Sequence, residues 1–266
     1  MSAAKTPARL NYERRGEGPP LVLLHGIGHR WQAWEPVLGM LAAEHDVIAV
    51  DLPGFGKSPP LSGAQGPAAI AATIAGFSDE LGLDRPHVAG NSLGGGIALE
   101  LAATGHASSA TALSPAGFWT RGEYWWGLSV LRILRGTTFL PVPVLAAMMR
   151  SAAVRALAFG MVVHRPAHIA PEHLMGDALA LRECDSFAPV ARAMRGYAFA
   201  GTPNVPVTVA WGTRDRILPH RQALRARHRL PAARHVDLPG CGHVPMTDDP
   251  GLVASTILAT AKEASA

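Results

Sequence analysis

Two runs of the chain are apolar without a break, Leu21-Val22-Leu23-Leu24 and Val47-Ile48-Ala49-Val50, and they end in His25-Gly26 and Asp51-Leu52-Pro53-Gly54. Strands covered on both faces carry no polar alternates, so both runs predict central strands of a parallel sheet. Between them, from Trp31 to Glu44, the residues Trp34, Val37, Leu38 and Leu41 recur at helical spacing. Residues 67–81 predict a second helix, with proline in its first turn. Arg85-Pro86-His87-Val88-Ala89 reads as a short buried strand, residues 97–103 as a helix, and Ala110-Thr111-Ala112-Leu113 as the next strand. Strand alternating with helix is the pattern of an α/β fold with a doubly wound sheet.

The rhythm breaks near Pro115 and resumes at Val205-Pro206-Val207-Thr208-Val209-Ala210, followed by a helix over 219–230, a strand over 234–238 and a terminal helix over 250–261. Residues 1–114 and 204–266 are therefore expected to form the core domain. Residues 115–203 are expected to be an insertion of short helices forming a lid. That stretch holds Trp119, Trp125, Trp126, Phe139, Met148, Met149 and Phe159, broken by Pro141, Pro143 and Pro166, a composition suited to an apolar cavity.

Composition narrows the function classes. The chain has 266 residues, 48% hydrophobic and only 17% charged, which describes a folded globular protein with an ample core. Its net charge of +4 comes from dispersed arginines rather than a basic block. Arg221, Arg225 and Arg229 share a helical face, which reads as a solvated stripe, and no nucleic-acid partner is expected. Two cysteines, Cys184 and Cys241, are too few for a disulfide framework and suit a reducing compartment. Met1 to Pro7 lacks an apolar leader core, and no long uninterrupted apolar run occurs. The expectations are a cytoplasmic location and no stable membrane association.

The candidate chemistry begins at Gly90-Asn91-Ser92-Leu93-Gly94, a G-x-S-x-G pattern between a predicted strand and a predicted helix. With 13 serines and 28 glycines the pattern arises by chance roughly once in seven such chains, so its context decides. A strand-to-helix turn tight enough to demand glycine flanks presents the serine hydroxyl outward. A serine needs a general base and a group that orients it. His243, in Gly242-His243-Val244 between the last strand and the last helix, suits the base. Asp215, after Trp211-Gly212, suits the orienting acid. Both follow the carboxyl ends of predicted strands, where open α/β sheets bind ligands. The backbone N–H groups of Leu93 and Ile27 are the expected oxyanion donors.

On His25-Gly26-Ile27-Gly28, Asp51-Leu52-Pro53-Gly54-Phe55-Gly56, Gly90 to Gly95, Trp211-Gly212-Thr213-Arg214-Asp215 and Gly242-His243, the chain resembles the α/β-hydrolase superfamily from about residue 9 to about residue 262. The resemblance implies a mostly parallel sheet with an inserted helical cap. It also implies a Ser92, His243, Asp215 triad and no metal or organic cofactor. His25, Gly26, Asn91, Trp119, Trp125 and Val244 are expected to contact substrate. Asp51 is read as structural, and His164, His168 and His173 as cap residues rather than metal ligands. His29, beside the oxyanion loop, is read as a solvated loop residue that could touch substrate. The activity implied is hydrolysis of carboxylic esters of small to medium apolar molecules. Hydrolases of carbon–carbon bonds in vinylogous diketones, cofactor-free haloperoxidases or perhydrolases, and a non-catalytic ligand sensor are the alternatives. An aspartate nucleophile, as epoxide hydrolases of this fold use, is opposed by Ser92.

Overall fold

A computed structural model describes residues 10–264. The N-terminal segment Met1 to Pro7, read above for a leader, lies outside the described residues. The chain runs through β1 (Tyr12–Arg15), β2 (Pro20–Leu24), α1 (Glu35–Ala42), β3 (Asp46–Val50), α2 (Pro67–Glu80), β4 (His87–Asn91), α3 (Leu93–Ala103) and β5 (Ser109–Leu113). Five helices follow: α4 (Arg121–Thr137), α5 (Val142–Arg150), α6 (Ala152–Phe159), α7 (Pro171–Glu183) and α8 (Phe187–Ala193). The last part returns to the sheet with β6 (Val207–Gly212), α9 (Gln222–Arg229), β7 (Arg234–Leu238), α10 (Pro245–Asp248) and α11 (Pro250–Ala264).

The seven strands form one sheet in the order β1-β3-β2-β4-β5-β6-β7, parallel throughout except for β1. This is the parallel sheet that the apolar runs predict, in the α/β-hydrolase fold that the resemblance implies. Leu21, Val22, Leu23 and Leu24 are no more than 1% exposed, as two-sided cover requires. Burying each such side chain contributes roughly 1.5–3 kcal/mol, which makes these central strands the stable frame for what lies at their ends.

β1 is the strand that the pattern analysis does not predict. Its residues Tyr-Glu-Arg-Arg carry no apolar run, and their burial alternates, as at a half-solvated edge. Register holds it in place: Tyr12 pairs with Val50 and Arg15 with Val47, while Arg14 makes a two-pronged contact with Asp46 at 2.8 and 2.7 Å.

Candidate active site

β4 ends at Asn91 and α3 begins at Leu93, leaving Ser92 alone to make the turn. Its φ is +55° with ψ −114°, a conformation that costs an L-residue on the order of 1–3 kcal/mol and persists only where neighbours enforce it. The neighbours do enforce it. Ser92 N–H donates to Leu113 O at 2.9 Å, and Ser92 O accepts from Gly96 N–H and Ala116 N–H at 3.1 and 2.9 Å. The flanking glycines are demanded by close approach: a Cβ on Gly90 would lie 2.0 Å from Gly94 O, and one on Gly94 would lie 2.0 Å from Leu24 O.

His243 follows β7 in a loop fastened from three directions. Its own N–H and that of Val244 donate to Val162 O at 2.8 and 3.2 Å. Its carbonyl accepts from Asn91 Nδ2 at 2.9 Å. The Asp248 carboxylate accepts from Gly242 N–H at 2.7 Å and also from the N–H groups of His164 and Arg165. His243 Nδ1 lies 2.8 Å from Asp215 Oδ2 with both side chains buried. The other Asp215 oxygen accepts from Ile217 and Leu218 N–H at 2.9 and 2.8 Å, which fixes the carboxylate's orientation. A carboxylate on Nδ1 keeps that nitrogen protonated and leaves Nε2 free to take a proton.

Ser92 and His243 open into one cavity, together with Gly26, Ile27, Asn91 and Val244. Gly26 approaches so closely that a Cβ there would lie 3.3 Å from Ser92 Cβ. Leu93 opens α3, so its N–H has no acceptor one turn earlier. Neither it nor the Ile27 N–H donates to another group among the described residues. The far wall is apolar and comes from the helices after β5, with Leu131 and Leu134 of α4, Phe159 of α6 and Leu174 of α7.

Three expected substrate contacts are placed elsewhere. His25 is fully buried and absent from the cavity lining; its Nδ1 donates to Gly26 O at 2.7 Å and its Nε2 accepts from Leu52 N–H at 2.9 Å. Burial pushes its pKa down to about 4, so it serves as a neutral strut between two loops. Trp119 and Trp125 pack against Tyr124, and Arg195 lies 5.5 Å over the Trp125 ring. At 100° per residue, Trp125 is 180–240° around α4 from Leu131, Leu134 and Thr138, which face the cavity. Asn91 reaches the cavity, but its amide nitrogen is spent on Leu113 O and His243 O.

Of three further lining residues, the sequence reads His29 as a solvated loop residue that could touch substrate and His173 as a cap residue, and does not single out Asp177. His29, His173 and Asp177 form a polar pole opposite the apolar wall, and their side chains make no hydrogen bond among the described residues. Burial lowers the pKa of His29, leaving it neutral, while Asp177 acts against that shift. Only periodicity pointed this way: Leu174, Ala178 and Leu181 mark the inner stripe of α7, and Asp177 interrupts it. Asp51 is structural, its carboxylate accepting from Asn11 Nδ2 and from the N–H groups of Trp31 and Lys57.

The profile of the alpha/beta hydrolase family matches residues 21–256. The chain belongs to that family. Among curated relatives, a dihydrolipoyllysine-residue acetyltransferase component of the acetoin cleaving system from Cupriavidus necator is 41% identical, but over 41% of this chain and only 30% of its own length. A pimeloyl-[acyl-carrier protein] methyl ester esterase from Aeromonas salmonicida is 29% identical over 91% of this chain and 94% of its own. The structure of a thermophilic esterase from Thermogutta terrifontis superposes with a TM-score of 0.75 at 22% identity, covering 96% of this chain and 93% of that one. The protein is thus a hydrolase of the alpha/beta fold with esterase relatives.

Proposed function

We propose that this protein is a serine hydrolase that cleaves carboxylic esters of small to medium apolar molecules through an acyl-enzyme. One observation carries the reading: a strained, glycine-flanked serine shares a mostly apolar cavity with a histidine whose other nitrogen is bound to a buried, oriented carboxylate. Ser92 Oγ attacks the ester carbonyl while His243 Nε2 takes its proton. Asp215 holds the imidazole in the required tautomer and stabilises the imidazolium. The Leu93 and Ile27 N–H groups face the oxyanion of the tetrahedral intermediate. His243 then protonates the leaving alcohol, and a water activated by the same base releases the acid.

The apolar wall from α4, α6 and α7 selects the substrate body by excluding water from it. The relative named as a methyl ester esterase supports the same bond type. A fluorophosphonate probe is expected to form one adduct, at Ser92, and a panel of p-nitrophenyl esters of graded chain length is expected to show turnover that Ser92→Ala abolishes. Failure of the native protein to form the adduct, or preference for a vinylogous diketone over every ester, overturns this reading.

A further inference from the structure

Among the described residues eleven large hydrophobic side chains are exposed, and eight of them fall between Trp125 and Leu157. Ile133 is 70% exposed and Leu157 85%. From the link after α4 into the first turn of α5 the chain presents six consecutive apolar residues, 139–144, all exposed. A folded surface rarely tolerates so long an exposed run without an occupant.

Charge identifies the occupant. From Arg121 to Arg165 the chain has six arginines, of which Arg155 is buried against backbone carbonyls, and a single acid, Glu123, which is buried beneath Arg221 and Arg225. Arg132 and Arg150 are exposed at the flanks of the apolar run, and the guanidinium groups of Arg135 and Arg182 lie 5.2 and 5.6 Å from the Phe139 ring. A two-fold contact with a second copy would press these arginines against one another, since such an interface pairs a patch with itself. An anionic lipid surface meets both features at once, the arginines at the headgroups and the apolar run below them. No single helix among the described residues is long and apolar enough to cross a bilayer, and α4 and α5 are bent by 111° to one another.

We propose that residues 139–144, with the adjoining ends of α4 and α5, form a docking element that seats the protein on anionic membrane surfaces. Thr138 lines the cavity while Phe139, its neighbour, is half exposed on the outside. The docked face therefore adjoins the wall built by Leu131 and Leu134, and a bilayer-dissolved ester would lie beside the site. The docking does not depend on the ester reading, and vesicle binding measured without substrate separates the two.

The test is co-sedimentation of the full chain with vesicles of phosphatidylcholine alone and of phosphatidylcholine with phosphatidylserine. Binding is expected with the mixed vesicles, weakening with salt. Each arginine removed, in Arg132→Gln and Arg150→Gln, is expected to weaken it about fivefold. Phe139→Ser/Val142→Ser/Val144→Ser is expected to weaken it at least about tenfold, with the circular dichroism spectrum and the turnover of a soluble short-chain ester unchanged. Absence of binding by the native chain, or equal binding by the triple variant, overturns the proposal. So does a concentration-dependent dimer that the triple variant abolishes without any vesicle binding, which would make this face a self-interface.

Discussion

The sheet and the helices inserted between β5 and β6 treat apolar side chains in opposite ways. In β2 to β5 the large aliphatic residues are almost wholly buried, and the polar groups beyond the ends of β6 and β7 are fixed by short, specific bonds such as that of Asp215 to His243. In α4 to α6 a Leu, an Ile and a Phe stand more than half exposed, and the inner faces line a cavity instead of filling it. One region is optimised to hold atoms still. The other spends apolar surface on contact with something that is not part of the chain, inside the cavity and on the outer face.

The largest expected effects lie in the rigid region. Ser92→Ala should lower ester turnover by about 10^6-fold, measured as kcat, because the acyl-enzyme cannot form. Asp215→Asn should lose about 10^4-fold, since the amide favours the wrong imidazole tautomer while the remaining groups still act. Both proteins should keep the native unfolding midpoint within a few degrees. An active, folded Ser92→Ala protein would dissolve the contrast, because the fixed residues would then be only architecture.

Asp248 joins the two regions, accepting from Gly242 on the histidine loop and from His164 and Arg165 on the inserted segment. Asp248→Ala leaves three N–H groups without that acceptor and lets the His243 loop drift. A kcat loss of about 100-fold is expected, with a smaller change in KM. If KM rises instead while kcat holds, the loop is set by Asn91 and Val162 alone.

The sheet also carries a pH dependence. The pKa of buried His25 is about 4 against 6.5 for an exposed histidine, so the unfolded chain binds the proton first. Stability is therefore full above about pH 6.5 and falls as the pH drops towards 4. Between pH 7.5 and pH 5 the loss amounts to about 2 kcal/mol, measurable by urea titration at both values. His25→Asn should be less stable at pH 7.5 and lose less on acidification.

The sheet was legible in the sequence because two-sided burial leaves unbroken apolar runs. Gly90, Ser92 and Gly94 were legible because a turn that tight admits few residue types. β1 was not, since an edge strand held by register and by Arg14 with Asp46 needs no hydrophobic signature. The aromatic content of the insertion suggested a cavity, but not which face of α4 would meet it: Leu131 and Leu134 do, and Trp125 points away. A long apolar segment is the signature of a membrane span, and a short surface such as 139–144 lacks it and becomes visible only when exposure is known residue by residue. Asp248 acts through partners distant in sequence, and no local pattern announces it.

The finest contrast is between two aliphatic truncations in the two regions. Ile74 on α2 has no exposed surface and packs in the main core, so Ile74→Ala should cost about 2–5 kcal/mol through lost transfer energy and a residual cavity. Leu157 on α6 is 85% exposed, so Leu157→Gln should change stability by no more than about 0.5 kcal/mol in either direction. Chemical denaturation of the two variants beside the native chain decides the matter. A loss above 1 kcal/mol for Leu157→Gln would mean that the outer apolar face is supporting the fold after all. A neutral result leaves that leucine with no structural task in the isolated chain, which is what a residue kept for an external surface should show.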